Sequence, residues 1–191
     1  LVLALTQGSG ARTTTLATAV VAVALLQVFV KHERSAPRPL LDLRLLRISP
    51  VALGLLANTG VVMLLAGESF LFPFYFEHTR GLAPDRVGLL LAIFPALSIV
   101  LSPLAGRLVD RLGARLMLAG ASAALVAASA LLVGFSTARP LAFEVATLVV
   151  LGGGLAVFFT ANPTVVLGNA PVGAEGVTSA LNSFSTSLGS M

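Results

Sequence analysis

Long stretches without a single charged side chain dominate this sequence. They occupy residues 13–30, 48–67, 87–106, 116–138, 145–174 and 176–191. A helix that crosses the hydrocarbon core of a bilayer needs about 20 apolar residues, each rising about 1.5 Å. Most of these runs reach or approach that length, and the second reads on past Glu68 to Phe76. Inside lipid, every backbone N–H and C=O has to find a partner in protein, which leaves helices and closed barrels. Barrel strands alternate polar and apolar residues over about 10 positions. Runs such as VGLLLAIFPALSIVLSPLAG and LMLAGASAALVAASALLVGF do not alternate. The expectation is an all-α fold, a polytopic transmembrane helix bundle.

Composition agrees with a surface solvated by lipid. The chain is 57% hydrophobic and 10% charged, with a mean hydropathy of +0.98. A soluble domain averages about 45–50% apolar and about 25% charged residues. The absence of Cys removes disulfides, thiolate metal sites and a Cys nucleophile. The net charge of +4 and pI of about 11.1 invite a nucleic acid partner. However, the basic residues sit between apolar runs and form no continuous face, so no nucleic acid partner is expected. No metal or other cofactor is indicated. Leu1 opens inside an apolar stretch and Met191 closes inside another, so both ends read as cut. Residues 1–6 read as the tail of an earlier helix, since no basic region precedes them as in a signal peptide.

The polar breaks set the orientation. The longest is KHERSAPRPLLDLRLLRISP at 31–50, stiffened by Pro37 and Pro39. Its second part, LLDLRLLR at 40–47, reads as a short amphipathic segment at the membrane surface. Shorter connections are expected at 77–86, 106–115, 136–144 and 167–176. Successive spans alternate in direction. The connections 31–50 and 106–115 carry twice as many Lys and Arg as the opposite set, which holds Arg12, Arg80, Arg86 and Arg139. The richer set belongs in the cytoplasm. The protein is therefore expected to be multi-pass in the cell membrane, with 31–47 and 107–115 cytoplasmic.

Few side chains in the spans can carry chemistry. Glu68 lies in the second run with apolar or neutral residues on both sides. A charged group at bilayer depth costs about 2.5–3.5 kcal/mol on insertion scales, and such groups usually mark ion or proton paths. A carboxyl group there is cheaper to keep neutral, which suits a proton carrier. Tyr75, the only Tyr, lies seven residues on and so nearly on the same face. The plainer alternative puts Glu68 near the outer interface, reaching water along its own stem. Asn162 precedes Pro163, which frees a helical carbonyl and permits a kink; broken helices of this kind line transporter cavities. The plainer alternative, which the sequence favours, is a helix nearing its cytoplasmic end. Gly152, Gly153 and Gly154 lack the following Lys-Ser or Lys-Thr of a phosphate loop and read as helix-packing residues.

The most specific feature is residues 106–115: Gly106, Arg107, Leu108, Val109, Asp110, Arg111, Leu112, Gly113, Ala114, Arg115. The glycines allow a tight turn, and Asp110 is expected just before the next helix, where the dipole favours an anion. Arg111 and Arg115 are placed to pair with Asp110 or with lipid phosphate.

This pattern resembles the signature loop of the major facilitator superfamily, found between the second and third helices of a six-helix half. Ala114 stands where the family often has a basic residue. PLLDLRLLR at 39–47, FYFEHTRGLAPDRVGLLL, and GLAVFFTANPTVVLGNAPVGAEGVTSALNS are similar to one branch, the fourteen-helix drug:proton antiporters. The resemblance implies a partial major facilitator fold. In it, residues 1–30 are the end of one helix plus a linker transmembrane helix, 31–47 a cytoplasmic connection, and 48–191 an incomplete C-terminal half.

The resemblance also implies alternating access, proton-coupled efflux of drugs or other small molecules, and a partner in the missing N-terminal half. Gly106, Asp110, Arg111, Gly113 and Arg115 would form a conformational latch. Glu68, Tyr75 and Asn162 are the candidates for the proton or substrate path. Two other readings stand beside it: a carrier for a sugar, organic anion or siderophore, and a non-transport membrane subunit. An enzyme is not expected, because the two histidines, His32 and His78, fall on opposite sides of the membrane.

Overall fold

The structure, a computed structural model, describes residue 45 and residues 47–191. The expected helix at 13–30 and almost all of the 31–47 connection lie outside the described residues.

Among the described residues six α-helices follow one another: α1 (Ser49–Phe74), α2 (Pro84–Leu91), α3 (Ile93–Leu112), α4 (Ala114–Leu132), α5 (Leu141–Gly168) and α6 (Glu175–Gly189). No strand occurs among them. Four of the described segments are long and apolar enough to cross a membrane: Ser49–Thr79, Pro84–Leu112, Ala114–Leu132 and Leu141–Gly168.

Proline shapes several ends. Ile48 is extended and Pro50 sits in the first turn of α1, where a missing N–H costs nothing. Pro73 removes a donor near the end of α1, and the chain widens into a π-helical turn, Tyr75–Thr79, directly after it. Pro95 follows the interruption at Ala92 that separates α2 from α3. Together the two helices make one continuous span.

The connection expected at 106–115 contracts to one residue. α3 runs through Asp110 to Leu112 and α4 begins at Ala114. Gly113 turns the chain alone, with φ +89°, a conformation that side chains with a Cβ rarely adopt.

α5 is the centre of the bundle, contacted by α1, α3, α4 and α6. Its glycines explain how. A Cβ at Gly152 would meet Leu97 Cδ1 of α3 at 2.9 Å, and one at Gly154 would meet Leu125 Cδ2 of α4 at 3.1 Å. Small residues let helices approach closely where lipid supplies no hydrophobic drive between them. Two apolar clusters result. One joins Phe72, Phe76, Leu125, Leu148, Leu151 and Phe158, and the other joins Val51, Leu55, Val166 and Leu181.

Candidate functional site

Glu68 sits on α1 with only 5% of its surface exposed. Neither carboxyl oxygen has a hydrogen-bond partner among the described residues. It lines a groove of about 720 Å³ along α1, closed on one side by Leu132 of α4 and Phe135 just beyond it. Met63, Leu64, Leu71, Phe72 and Phe74 make the walls apolar, and Tyr75 and Thr79 close one end. The expected pairing of Glu68 and Tyr75 on one face holds: one turn in π form does not carry Tyr75 out of the groove. Reaching water along its own stem is not what Glu68 does here. Its burial is that of a core side chain.

Tyr75 also has a second partner that the sequence reading did not name. Its hydroxyl donates to Glu144 Oε1 at 2.7 Å. Glu144 stands in the first turn of α5, where the helix dipole favours a carboxylate, and is fully buried. Arg80 fills the rest of its valence. Nε donates to Oε1 and Oε2, each at 3.0 Å, and Nη2 donates to Oε1 at 2.6 Å. The same Nη2 donates to the Arg139 carbonyl at 2.7 Å. Arg139 in turn lies 4.5 Å from the centre of the Phe143 ring. The end of α1 and the start of α5 are thus tied by an ion pair in which both Glu144 oxygens are bonded. A helix beginning at Leu141 behind Pro140 was legible from the proline. The sequence reading gave 136–144 to a connection and so passed over Glu144.

Asn162 is fully buried in α5, and both of its amide atoms lack partners among the described residues. It does not line the Glu68 groove. It packs where α5 meets α1, so closely that a Cβ on Gly54 would stand 3.2 Å from Asn162 Oδ1. It lies six residues before the end of α5 at Gly168, and its side chain is buried between helices. Beside it, α6 is held to α1 by amide and hydroxyl groups. Asn58 Nδ2 donates to Ser185 Oγ at 2.7 Å and to Thr186 Oγ1 at 2.8 Å, and Thr59 Oγ1 donates to the Ser185 carbonyl at 3.2 Å.

At the opposite end, Asp110 and Arg111 lie in the last turns of α3 and are exposed, as is Arg115 in the first turn of α4. Asp110 is therefore not at the start of the next helix. It makes no ion pair or side-chain hydrogen bond among the described residues, so its charge stays available at the surface. Arg115 donates to Asn169 Oδ1 at 2.9 Å and not to Asp110. That bond ties the start of α4 to the end of α5. Gly106 lies inside α3, and Gly113 is the turn itself. Among the described residues no group of three or more His, Cys, Asp or Glu could hold a metal ion.

A chain with a helical turn on a lone glycine between charged ends, four spans and a central glycine-packed helix can be compared with known families. The model of the Major Facilitator Superfamily matches residues 2–191. The chain belongs to that superfamily. It is 31% identical over 163 residues to the multidrug resistance protein Stp of Mycobacterium tuberculosis, covering 85% of this chain and 30% of that protein. It is 30% identical over 150 residues to the riboflavin transporter RibZ of Clostridioides difficile, covering 77% and 31%. It is 31% identical over 115 residues to the lincomycin resistance protein LmrB of Listeria monocytogenes, covering 60% and 24%. The chain thus spans less than a third of the length of these curated relatives. No solved structure matches it. The partial major facilitator bundle expected from residues 106–115 stands, as does the likeness to drug resistance transporters expected from PLLDLRLLR at 39–47 and the two later stretches.

Proposed function

We propose that this chain contributes the solute path and the coupling residue of a transporter that exports drugs or other small molecules in exchange for protons, by alternating access, in the cell membrane. The observation that carries the proposal is Glu68: a buried carboxyl group, without a partner among the described residues, in the wall of an apolar groove. A group with no fixed partner can change its protonation without breaking a structural bond. An apolar groove can take a lipophilic solute without strict hydrogen-bond matching. The names of Stp and LmrB support efflux as the direction.

In this proposal residues 1–30 end one helix and supply a linker helix, 31–47 cross the cytoplasmic face, and 48–191 belong to a C-terminal half. An N-terminal half completes the path. The turn at Gly113 is the latch. Exposed Asp110 pairs across the cytoplasmic face in one state and releases in the other, with Arg111 beside it and Gly106 and Arg115 fixing the helix ends.

Glu68→Gln in the full-length protein, reconstituted in liposomes, tests the coupling role. Proton-driven transport is expected to be lost while the thermal midpoint holds. Normal coupled transport in that variant rules the role out. Asp110→Ala is expected to slow turnover more than it weakens solute binding; the reverse pattern removes the latch. A second reading, a carrier for a different solute class, is favoured by the similarity to the riboflavin transporter RibZ. It keeps the groove and the Glu68 test and changes only which solutes compete for transport.

A further inference from the structure

The end of the groove at Tyr75 has an unusual property. Its one hydroxyl-bearing aromatic residue does not have its hydroxyl to spare. Tyr75 lines the groove, and its phenol O–H is committed to Glu144, 2.7 Å away. Glu144 is itself immobile: fully buried, in the first turn of α5, and held by two nitrogens of Arg80 at 2.6 to 3.0 Å. Arg80 is anchored again on the Arg139 carbonyl. The phenol is therefore fixed at its tip, and the ring is left as the part that a solute can touch. Phe135 sits against that ring, with centroids 5.5 Å apart, and extends the aromatic surface across to the α4 side.

We infer that Tyr75 is the specificity-determining residue of the groove, reading solutes through its ring and not its hydroxyl, and that Glu144 is its positioning residue. The solute class this favours is a planar aromatic molecule. Offset or edge contacts between rings add to burial, and only a ring held in place offers them without an ordering cost. An aliphatic solute of equal size gains nothing from the tether. This inference rests on the reading of the groove as the solute path, but not on Glu68 as the coupling residue.

The test exploits the absence of cysteine from the chain. Gly67 lines the groove, and a Cβ there meets nothing within 4 Å, so Gly67→Cys adds a thiol in open space. The full-length protein, with any cysteine outside this chain replaced by serine, is placed in nanodiscs and labelled at this thiol with N-(1-pyrenyl)maleimide and, separately, with N-ethylmaleimide. The rate ratio is normalised to Leu89→Cys, an exposed site away from the groove. The pyrenyl preference at residue 67 is expected to fall about two- to tenfold with Tyr75→Leu, the range that one aromatic contact is worth. Tyr75→Phe, which deletes only the tether, should fall in the same direction by a smaller factor, and Glu144→Gln should match it. Because Tyr75→Phe leaves the Arg80–Glu144 pair intact, it decides the matter even where Glu144→Gln disturbs folding. An unchanged preference in Tyr75→Leu overturns the specificity role. A drop in Tyr75→Leu with none in Tyr75→Phe overturns the positioning role. Labelling reports contact in the groove whether or not a solute crosses, so these outcomes are separate from the Glu68→Gln transport result.

Discussion

Glu68 and Glu144 are both buried carboxylates, on neighbouring helices of one bundle, and their surroundings could hardly differ more. Glu144 accepts from two nitrogens of Arg80 and from the Tyr75 hydroxyl, where α5 begins. Glu68 accepts from nothing among the described residues. The first arrangement is what a buried charge needs in order to be tolerated at all. The second stabilises nothing, and in a membrane such a group is expensive. Burial alone therefore does not sort structural from functional carboxylates. Partnership separates them: Glu144 holds helices together, whereas Glu68 is bound to nothing among the described residues, which is what the proposed coupling role asks of it.

The contrast breaks most sharply on stability. Glu144→Ala leaves the Arg80 guanidinium, whose side chain is 13% exposed, with only the Arg139 carbonyl to receive it among the described residues. Removing one partner of a fully buried pair costs about 3–5 kcal/mol, an upper bound for this partly exposed one. The expected outcome is a large drop in the unfolding midpoint in detergent, with the end of α1 and the start of α5 separating first in hydrogen exchange. A loss below about 1 kcal/mol, the level of an exposed pair, would place Glu144 in water and undo the comparison.

Uncharged groups supply a second, smaller effect. Asn58→Ala removes the donor that joins α1 to Ser185 and Thr186 of α6. Interhelical hydrogen bonds in membranes are worth about 0.6–2 kcal/mol. Thiol cross-linking between α1 and α6 should become less efficient, while contacts of α3 and α4 with α5 stay as they are. An equal loosening of all four helices would show that α6 is not held separately.

How much of this was written in the residues follows from the same contrast. Counting charges in apolar runs found Glu68, because a lone carboxylate among LLAG and SFLF has no neighbour to hide behind. The same count passed over Asn58, whose amide is neutral. It also gave Glu144 to a connection, although the orientation argument had already put Arg80 and residues 136–144 on one side of the membrane. Helix existence was legible among the described residues, since each span needs an unbroken apolar run. Helix ends were not. Asp110, with arginines on either side, reads as a loop residue, yet α3 carries it to within three residues of Gly113, because charged side chains can leave a helix end for water without the helix stopping. Asn162 was ambiguous for a different reason: depth along a helix is visible in sequence, but the face that meets α1 is decided by packing at Gly54.

Glu68→Leu should move stability the opposite way from Glu144→Ala. It removes an unpaired polar group whose burial costs about 1–3 kcal/mol, and the midpoint should rise by about 1 kcal/mol after allowance for imperfect packing of the leucine. A stability gain together with lost transport is the signature of a residue kept for function. A fall in midpoint comparable to that of Glu144→Ala would mean that Glu68 has a structural partner after all.

Glu175 supplies the smallest effect and the sharpest control, because it is a carboxylate that is partnered but not buried. It opens α6 and accepts from the Gly173 N–H at 3.2 Å. Hydrogen bonds from its own backbone N–H and from that of Gly173 hold its pKa below the ordinary 4.5. A carboxyl whose folded-state pKa is lowered contributes stability that is fully present above its unfolded pKa and is lost as pH falls through the folded value. Amide exchange at Gly173 and in the first turn of α6 should therefore accelerate only as pH drops below 4.5. Glu175→Gln should show that faster exchange at neutral pH, and neither change should move the global midpoint measurably. Water competes for every bond an exposed carboxylate makes, so partnership without burial tunes a helix end but does not hold a bundle. A clear shift of the global midpoint with Glu175→Gln would mean that partnership alone carries the weight, and that the burial of Glu144 is incidental.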